Sequence, residues 1–573
     1  MAKYNMPVGK SDFAQVRTDG DYYIDKTDLI RQIASSGTQV TLFTRPRRFG
    51  KSLNMSMLQH FFDIREDSKA LFAGLSISDN KEICGKWMNQ YPTVLVSFKS
   101  VDSTTFDNAL AQLKAVLSEL FRQHLYILDD PKIDDDDIET IQRIKSKKAD
   151  PSDLMDSLSL LTRLLYHHYN KPVVLLIDEY DVPMAKGASN KYYDQITDIM
   201  RSIYSKSLKD NPHIKIAVLT GCLRIAKESI FTGLNNLKVY SILDYAFEEY
   251  FGFTDKEIDK LLSDTGFTEY KDKIRQWYDG YRFGDTEIYC PWDVLNYISD
   301  LQHKAGIEPK NYWANTSSND IIRQYLDEGI DPQSDFETLL QGRCIYKMIS
   351  DDTTYRELLD SEDNFWSILL MTGYLTVVPE SEAILSEKYT LARPGGIYLR
   401  LVNNEIKNLF EKTVAQWFKD RIYKDSRKQL FEALWNGDSK TLAELISRYL
   451  RRTISYYDYS EEFYHAFLAG LFSGIEDIAV TANRRPGGVR VLSNRETGEG
   501  RADIVVENRM TNKAAVLEFK VTDDLSQAPS LCDVALAQIQ DIGYAEALQE
   551  DEGYELISYG VVFYKKRCFV KKG

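Results

Sequence analysis

The sequence has no Cys-x-x-Cys pair. Its six cysteines (Cys84, Cys222, Cys290, Cys344, Cys532 and Cys568) are scattered along 573 residues, so neither a zinc site nor a disulfide framework is indicated and a reducing interior fits best. No apolar run approaches the roughly 20 residues of a membrane span, and Met1 to Asp21 lacks the apolar core of a secretory signal. The expectation is a cytoplasmic protein with no membrane partner. Positive charge is also in deficit: 71 Lys and Arg against 86 Asp and Glu leave a net charge of −15. That excludes a protein that coats nucleic acid through its overall field, but not one that holds it in a local basic patch.

What is present is ordinary globular material, with 43% hydrophobic and 27% charged residues, and 573 residues exceed what one hydrophobic core serves. Several domains are expected.

The first chemical motif follows an apolar, β-branched run, Thr38 to Thr44, which predicts a strand. It leads into Arg45-Pro46-Arg47-Arg48-Phe49-Gly50-Lys51-Ser52 and then a helical pattern from Leu53. Strand, loop and helix are ordered as a phosphate cradle requires. Gly50 lets the main chain approach phosphates, Lys51 reaches the β and γ phosphates, and Ser52 ligates magnesium at the helix N-terminus. Arg45 stands where the general pattern has its first glycine, and Gly-Lys-Ser alone also suits an ordinary helix start. The second motif is Lys171 to Asp181, a wholly apolar strand ending in Asp178 and Glu179. Such a strand reads as buried in a parallel sheet. Asp178 would hold magnesium and Glu179 would polarise water, although acidic residues after a strand also serve as helix caps. The two motifs together point to ATP with Mg2+. A third strand, Ile214 to Leu219, ends in Thr220, a polar sensor candidate. Arg224 beyond it reads either as a γ-phosphate contact or as a surface ion-pair residue.

The middle is less informative. Asp134 to Asp137 reads as part of a solvated loop. Trp277 to Gly284 offers Arg282 for contact with nucleotide or partner, or else forms a structural turn at Gly280 with its rings in a core. From Asp320 to Tyr457 helical patterns predominate, broken at Thr372–Val377 and Pro394–Gly396, and spacer and docking roles are equally open.

Near the C-terminus two strand patterns flank a turn at Asn508–Lys513. A hairpin centred between Met510 and Thr511 sets Asp503 opposite Glu518, and the period of two puts Lys520 on the same face. Like charges across a strand pair repel, so a divalent cation is a natural compensation.

In combination, Tyr23–Thr27, Arg45–Ser52, Ile177–Asp181, Leu219–Gly221, Phe231–Asn236, Trp277–Gly284, Pro291-Trp292 and Tyr312–Ser317 resemble a bacterial AAA-ATPase-like family whose members often end in a PD-(D/E)XK nuclease-like domain. The resemblance implies an α/β chain: a P-loop ATPase core with a parallel sheet over residues 1–240, a helical lid over 241–330, a mostly helical middle segment over 331–457, and an α/β nuclease-like fold over 458–573. It makes Arg45 a regular feature, with nucleotide contacts spanning Arg45 to Leu53. It implies that Asp503 and Glu518 hold Mg2+ or Mn2+ while Lys520 activates water for phosphodiester hydrolysis. Glu462 is its further acidic ligand, with Glu496 an alternative. Gln538 and Tyr544 would face phosphate, and His465 either touches the site or sits in a helix core. Nucleic acid is the partner implied; a protein partner and a homo-oligomer remain open. The competing reading is an ATPase switch or remodeller whose C-terminal fold binds without cutting, and a weaker one is a scaffold that holds nucleotide without turnover.

Overall fold

The computed structural model describes residues 4–131, 133–224, 236–313, 333–350, 361–384, 395–411, 427–453, 464, 467–468, 471–472, 489–497, 500–508, 511–541 and 554–573, with backbone alone at 333–334, 337, 362, 427–428, 451–453, 489–497, 500–502 and 541. Chain contacts divide it into two units, 1–331 with 338–411, and 332–337 with 412–573.

In the first unit, strands β1 (Val40–Thr44), β2 (Thr93–Ser97), β3 (Val173–Asp178), β4 (Ile214–Gly221) and β5 (Leu237–Tyr240) form a wholly parallel sheet in the order β2-β3-β4-β1-β5. All five residues of β1 and all six of β3 are buried, as expected of strands covered by helices on both faces. Because β4 lies between β1 and β3, three carboxyl ends meet at one edge, where open α/β sheets bind their ligands. Beyond it come helix Asp255–Thr265, opened by a capping box between Thr254 and Glu257, the hairpin of β6 (Tyr281–Phe283) and β7 (Thr286–Ile288), and helix Pro291–His303.

One reading of the middle is corrected. The acidic run is no loop: Asp134 caps a helix, Asp135–Lys145, by accepting from Asp137 N at 2.8 Å, and its acids fill the first turn, where they oppose the positive end of the helix dipole. In the later segment the described strands include two at the breaks that the sequence shows around Thr372–Val377 and Pro394–Gly396. Strands β8 (Ile345–Lys347), β9 (Leu375–Val378) and β10 (Ile397–Leu401) form an antiparallel sheet in the order β8-β10-β9. This segment packs directly behind the arginine-rich loop: a Cβ on Gly373 would lie 3.0 Å from Pro46, and one on Gly280 2.2 Å from the carbonyl of Val402. Gly280 has φ +96°, so the turn it makes is the structural one, and Tyr278, Tyr281 and Phe283 are buried around it.

The second unit is built on β11 (Val489–Thr497), β12 (Gly500–Asn508), β13 (Lys513–Val521), β14 (Glu555–Tyr564) and β15 (Arg567–Lys572), in that order across the sheet. Only β13 and β14 pair in parallel, and helix Ala528–Asp541 lies between them in sequence. Ile504, Val506, Ala515, Leu517 and Phe519 pack on one face against residues of helices Arg427–Asn436 and Ser439–Thr453. Val505, Ala514 and Val516 pack on the other against Ile539. Strand alternation therefore sends Asp503, Glu518 and Lys520 to the face shared with Ala528–Asp541.

Candidate functional site

Helix Lys51–Phe62 follows β1 through the loop Arg45–Gly50, with Gly50 at its N-cap in the left-handed region (φ +78°), where a side chain would be strained. Ser52 Oγ donates to Asp178 Oδ2 at 2.7 Å, and Thr220 Oγ1 donates to Asp178 Oδ1 at 2.6 Å. Ser97 Oγ adds a longer contact of 3.3 Å. The ends of four elements thus converge on one carboxylate. Lys51 is buried, and its ammonium donates to the carbonyls of Arg45 and Pro46 at 3.0 and 2.9 Å. Burial works against that charge, but Cys222 and the carboxylates of Glu179, Asp181 and Asp178 outweigh it and raise the Lys51 pKa. The main effect on Glu179 is the reverse: burial raises its carboxyl, and Lys51 only partly offsets this. Glu179 also takes a left-handed backbone, φ +54°, an uncommon conformation for a side-chain-bearing residue and one that clusters at functional sites.

A cavity of 560 Å³ opens beside these groups, lined among others by Arg47, Arg48, Phe49, Gly50, Lys51, Ser52, Leu53 and Glu179. Its far wall comes from the N-terminal turn Pro7–Ser11, from Tyr22 to Ile24 with Lys26, and from Pro291, Trp292 and Leu295. The volume suits a small-molecule ligand. Lys26, quoted above only as part of a motif, ties this wall to the next helix: its ammonium donates to Glu257 at 2.6 Å and to the carbonyl of Glu249 at 2.7 Å. Asp25 next to it accepts from Thr27 N and Oγ1 at 2.9 and 2.6 Å.

Six of the sequence-derived positions are not on the cavity wall. Arg45 is fully buried, and its guanidinium donates to the carbonyls of Thr44 and Tyr240 at 2.9 Å and lies 5.3 and 5.2 Å from the ring centres of Phe251 and Phe283. Burial draws its pKa down to about 9, which leaves it charged at neutral pH. Arg45 braces the loop from inside, tying Thr44 to Tyr240 and Phe247 some two hundred residues further along the chain. Pro46 packs toward Gly373. Asp178 and Thr220 are buried behind the loop, and Arg224 is also absent from the lining. Arg282 likewise does not line the cavity.

Asp181 was not singled out in the sequence. Its Oδ2 accepts the main-chain N–H groups of Cys222 and Leu223 at 2.8 and 3.0 Å, and Tyr180 donates to the Leu223 carbonyl. These bonds fix the chain that leaves β4. Gly221 permits the approach, since a Cβ there would meet the Tyr180 ring at 2.5 Å.

In the second unit Ile504 pairs with Leu517 and Asn508 with Lys513, the register expected from the sequence, which sets Asp503 across from Glu518. Asp503 Oδ2 accepts from Phe519 N at 3.0 Å, and Lys520 Nζ donates to Glu518 Oε1 at 3.3 Å. Burial, then the charge of Asp503, pushes Glu518 up to about 7, with Lys520 opposing. Two carboxylates that face and repel each other fit a hard cation chemically. Among the described residues no third acidic, histidine or cysteine side chain joins them. Glu462, His465 and Tyr544 lie outside the described residues, Glu496 has only its backbone described, and Gln538 is half-buried on helix Ala528–Asp541. No helix among the described residues is long and apolar enough to cross a membrane.

A parallel sheet with a lysine-bearing loop and a buried acidic strand end defines the first unit as AAA-ATPase-like, and the mixed sheet with its facing carboxylates defines the second as nuclease-like. Comparison with known families agrees. Residues 7–231 match the family described as "Predicted AAA-ATPase", and residues 459–573 match the PD-(D/E)XK nuclease superfamily. The chain carries one domain of each. It is also 25% identical over 565 residues to a protein of Azotobacter chroococcum mcd 1 described as "Uncharacterized protein in vnfD 5'region", covering 95% of this chain and 94% of that one.

Proposed function

We propose that the chain binds and hydrolyses ATP with magnesium at the cavity beside Lys51, and that nucleotide state governs phosphodiester cleavage of nucleic acid at Asp503, Glu518 and Lys520. The observation that carries the first part is the 2.7 Å bond from Ser52 to Asp178, which brings a loop hydroxyl and a strand carboxylate to one point beside a buried lysine. Ser52 and Asp178 would hold magnesium, which supplies positive charge at the β and γ phosphate oxygens. Lys51 turns from the loop carbonyls to the phosphates, and Glu179 orients water and takes its proton, a task helped by a raised carboxyl pKa. At the second site Asp503 and Glu518 would hold magnesium or manganese, which polarises a phosphodiester oxygen. Lys520, 3.3 Å from Glu518, holds the attacking water.

A second reading, in which the nuclease-like domain binds nucleic acid or a protein without cutting it, follows from the fact that a fold does not by itself carry its chemistry. One experiment decides between them. Purified protein is incubated with ATP, magnesium or manganese, and DNA or RNA, alongside Asp503→Ala and Lys51→Ala. Cleavage lost in Asp503→Ala supports the nuclease reading; cleavage by no preparation, or equal cleavage by Asp503→Ala, leaves the binding reading.

A further inference from the structure

The loop Arg45–Ser52 holds three arginines, and the structure uses each differently. Arg45 is directed into the core, onto carbonyls and phenylalanine rings. Arg48 has φ +74°, and its guanidinium stacks on Trp292 with 3.9 Å to the ring centre. Arg47 is half-buried and lines the cavity together with Lys51, Ser52 and Glu179. Its guanidinium thus belongs to the same cavity as the lysine and the carboxylate assigned above to the γ phosphate and the attacking water.

We infer that Arg47 is a catalytic residue, an arginine finger carried within the chain's own phosphate loop, so that hydrolysis needs no arginine from a second subunit. This rests on the ATPase reading given above. In the step, the water oxygen bonds to the γ phosphorus while the bond from that phosphorus to the β–γ bridging oxygen breaks. The electron pair leaves with ADP, and the water proton passes to Glu179 and then to solvent. Charge on the γ oxygens and the bridging oxygen grows most in the transition state. A planar guanidinium, always charged and with several donors, is suited to that shape in a way that an ammonium is not.

The test compares wild type, Arg47→Ala and Arg47→Lys as full chains, measuring the Kd of a fluorescent ATP analogue, kcat for ATP, binding of ADP with aluminium fluoride, and melting temperature. Arginine fingers contribute roughly 10³- to 10⁵-fold in kcat. The expectation is a fall of about 10³-fold in both variants with ATP affinity changed less than about fivefold, loss of the aluminium fluoride complex, and partial recovery of Arg47→Ala by added guanidinium. Mixing Arg47→Ala with Lys51→Ala, which keeps Arg47 but not the phosphate lysine, restores nothing if the finger acts within one chain. Restored turnover in the mixture overturns the inference, as does a kcat within threefold of wild type or a loss confined to binding. If Arg47→Ala does not fold, Arg47→Lys decides by the same criteria. Wild type that fails to bind the analogue overturns the ATPase reading itself, whereas wild type that turns over and an Arg47→Ala that matches it overturn only the finger.

Discussion

At the edge of the parallel sheet the acidic groups are met by donors: Asp178 takes bonds from Ser52, Ser97 and Thr220, and Asp181 takes two main-chain N–H groups. Across the hairpin of the second unit Asp503 and Glu518 confront one another, and Glu518 has the 3.3 Å contact from Lys520 with its carboxyl pushed up to about 7 by burial and by Asp503. The first arrangement is assembled before any ligand arrives. The second has a charge conflict that positive charge would relieve. Preformed donors make the first site a matter of orientation, so its failures should appear in turnover; the second should fail through metal binding and pH.

The largest effect is expected at Glu179. Glu179→Gln keeps the shape of the side chain but cannot take the water proton, and kcat for ATP should fall by about 10³-fold with little change in nucleotide Kd; rapid-quench and equilibrium binding measurements separate the two. If affinity falls as far as turnover, the contrast between the sites is broken. At the other end, Glu518→Ala should abolish metal-dependent cleavage of nucleic acid while ATP turnover in the same preparation remains, as seen by gel and by phosphate release. A parallel loss of ATP turnover would mean that the two sites are one cooperative machine rather than two differently built centres.

The pH dependence sharpens the same contrast. A Glu518 carboxyl at about 7 carries a proton below that pH, and a cation must displace it. Magnesium or manganese affinity should therefore drop about tenfold per pH unit below 7 and level off above it, measured by calorimetry at fixed ionic strength. Stability of the metal-free unit follows the opposite course. Because the folded pKa lies above the ordinary glutamate value near 4.5, the folded state holds a proton that the unfolded state has released, so stability declines as pH rises between those values and the loss is complete above about 7. Glu518→Gln should remove that decline, raising the melting temperature at pH 8 and not at pH 4.

Much of this was legible in the sequence for local reasons. Apart from Lys215 and the terminal Asp178, strands β1, β3 and β4 are β-branched or apolar, and the turn at Asn508–Lys513 fixes the hairpin register, which by itself brings Asp503 to Glu518. What was not legible depends on partners remote in sequence. Nothing near Arg45 foretells that Phe251 and Phe283 enclose it, nor that Gly373 abuts Pro46. The cavity wall formed by Pro7–Ser11 joins segments nearly three hundred residues apart. The acidic run was readable and was missed: Asp134 followed three residues later by Asp137 has the spacing of a helix N-cap, but the density of like charge suggested a solvated loop.

The smallest predicted effect tests how far preorganisation at the first site extends. Asp181 touches no wall of the cavity, yet it holds the chain leaving β4 through two N–H bonds and is one of the carboxylates that raise Glu179 and Lys51. Asp181→Asn keeps one acceptor oxygen and removes the charge. Hydrogen bonds to a charged acceptor are worth about 1.5–3 kcal/mol against about 1 for neutral ones, so a loss of about 1–2 kcal/mol in stability is expected from denaturant titration. The Glu179 carboxyl, relieved of one neighbouring negative charge, should titrate lower, moving the acidic limb of the kcat profile to lower pH. A stability loss with an unmoved pH limb would make Asp181 a fastener of the β4 exit alone; both changes together would place it in the electrostatics of the site, as the geometry requires if the first site is set before its ligand binds.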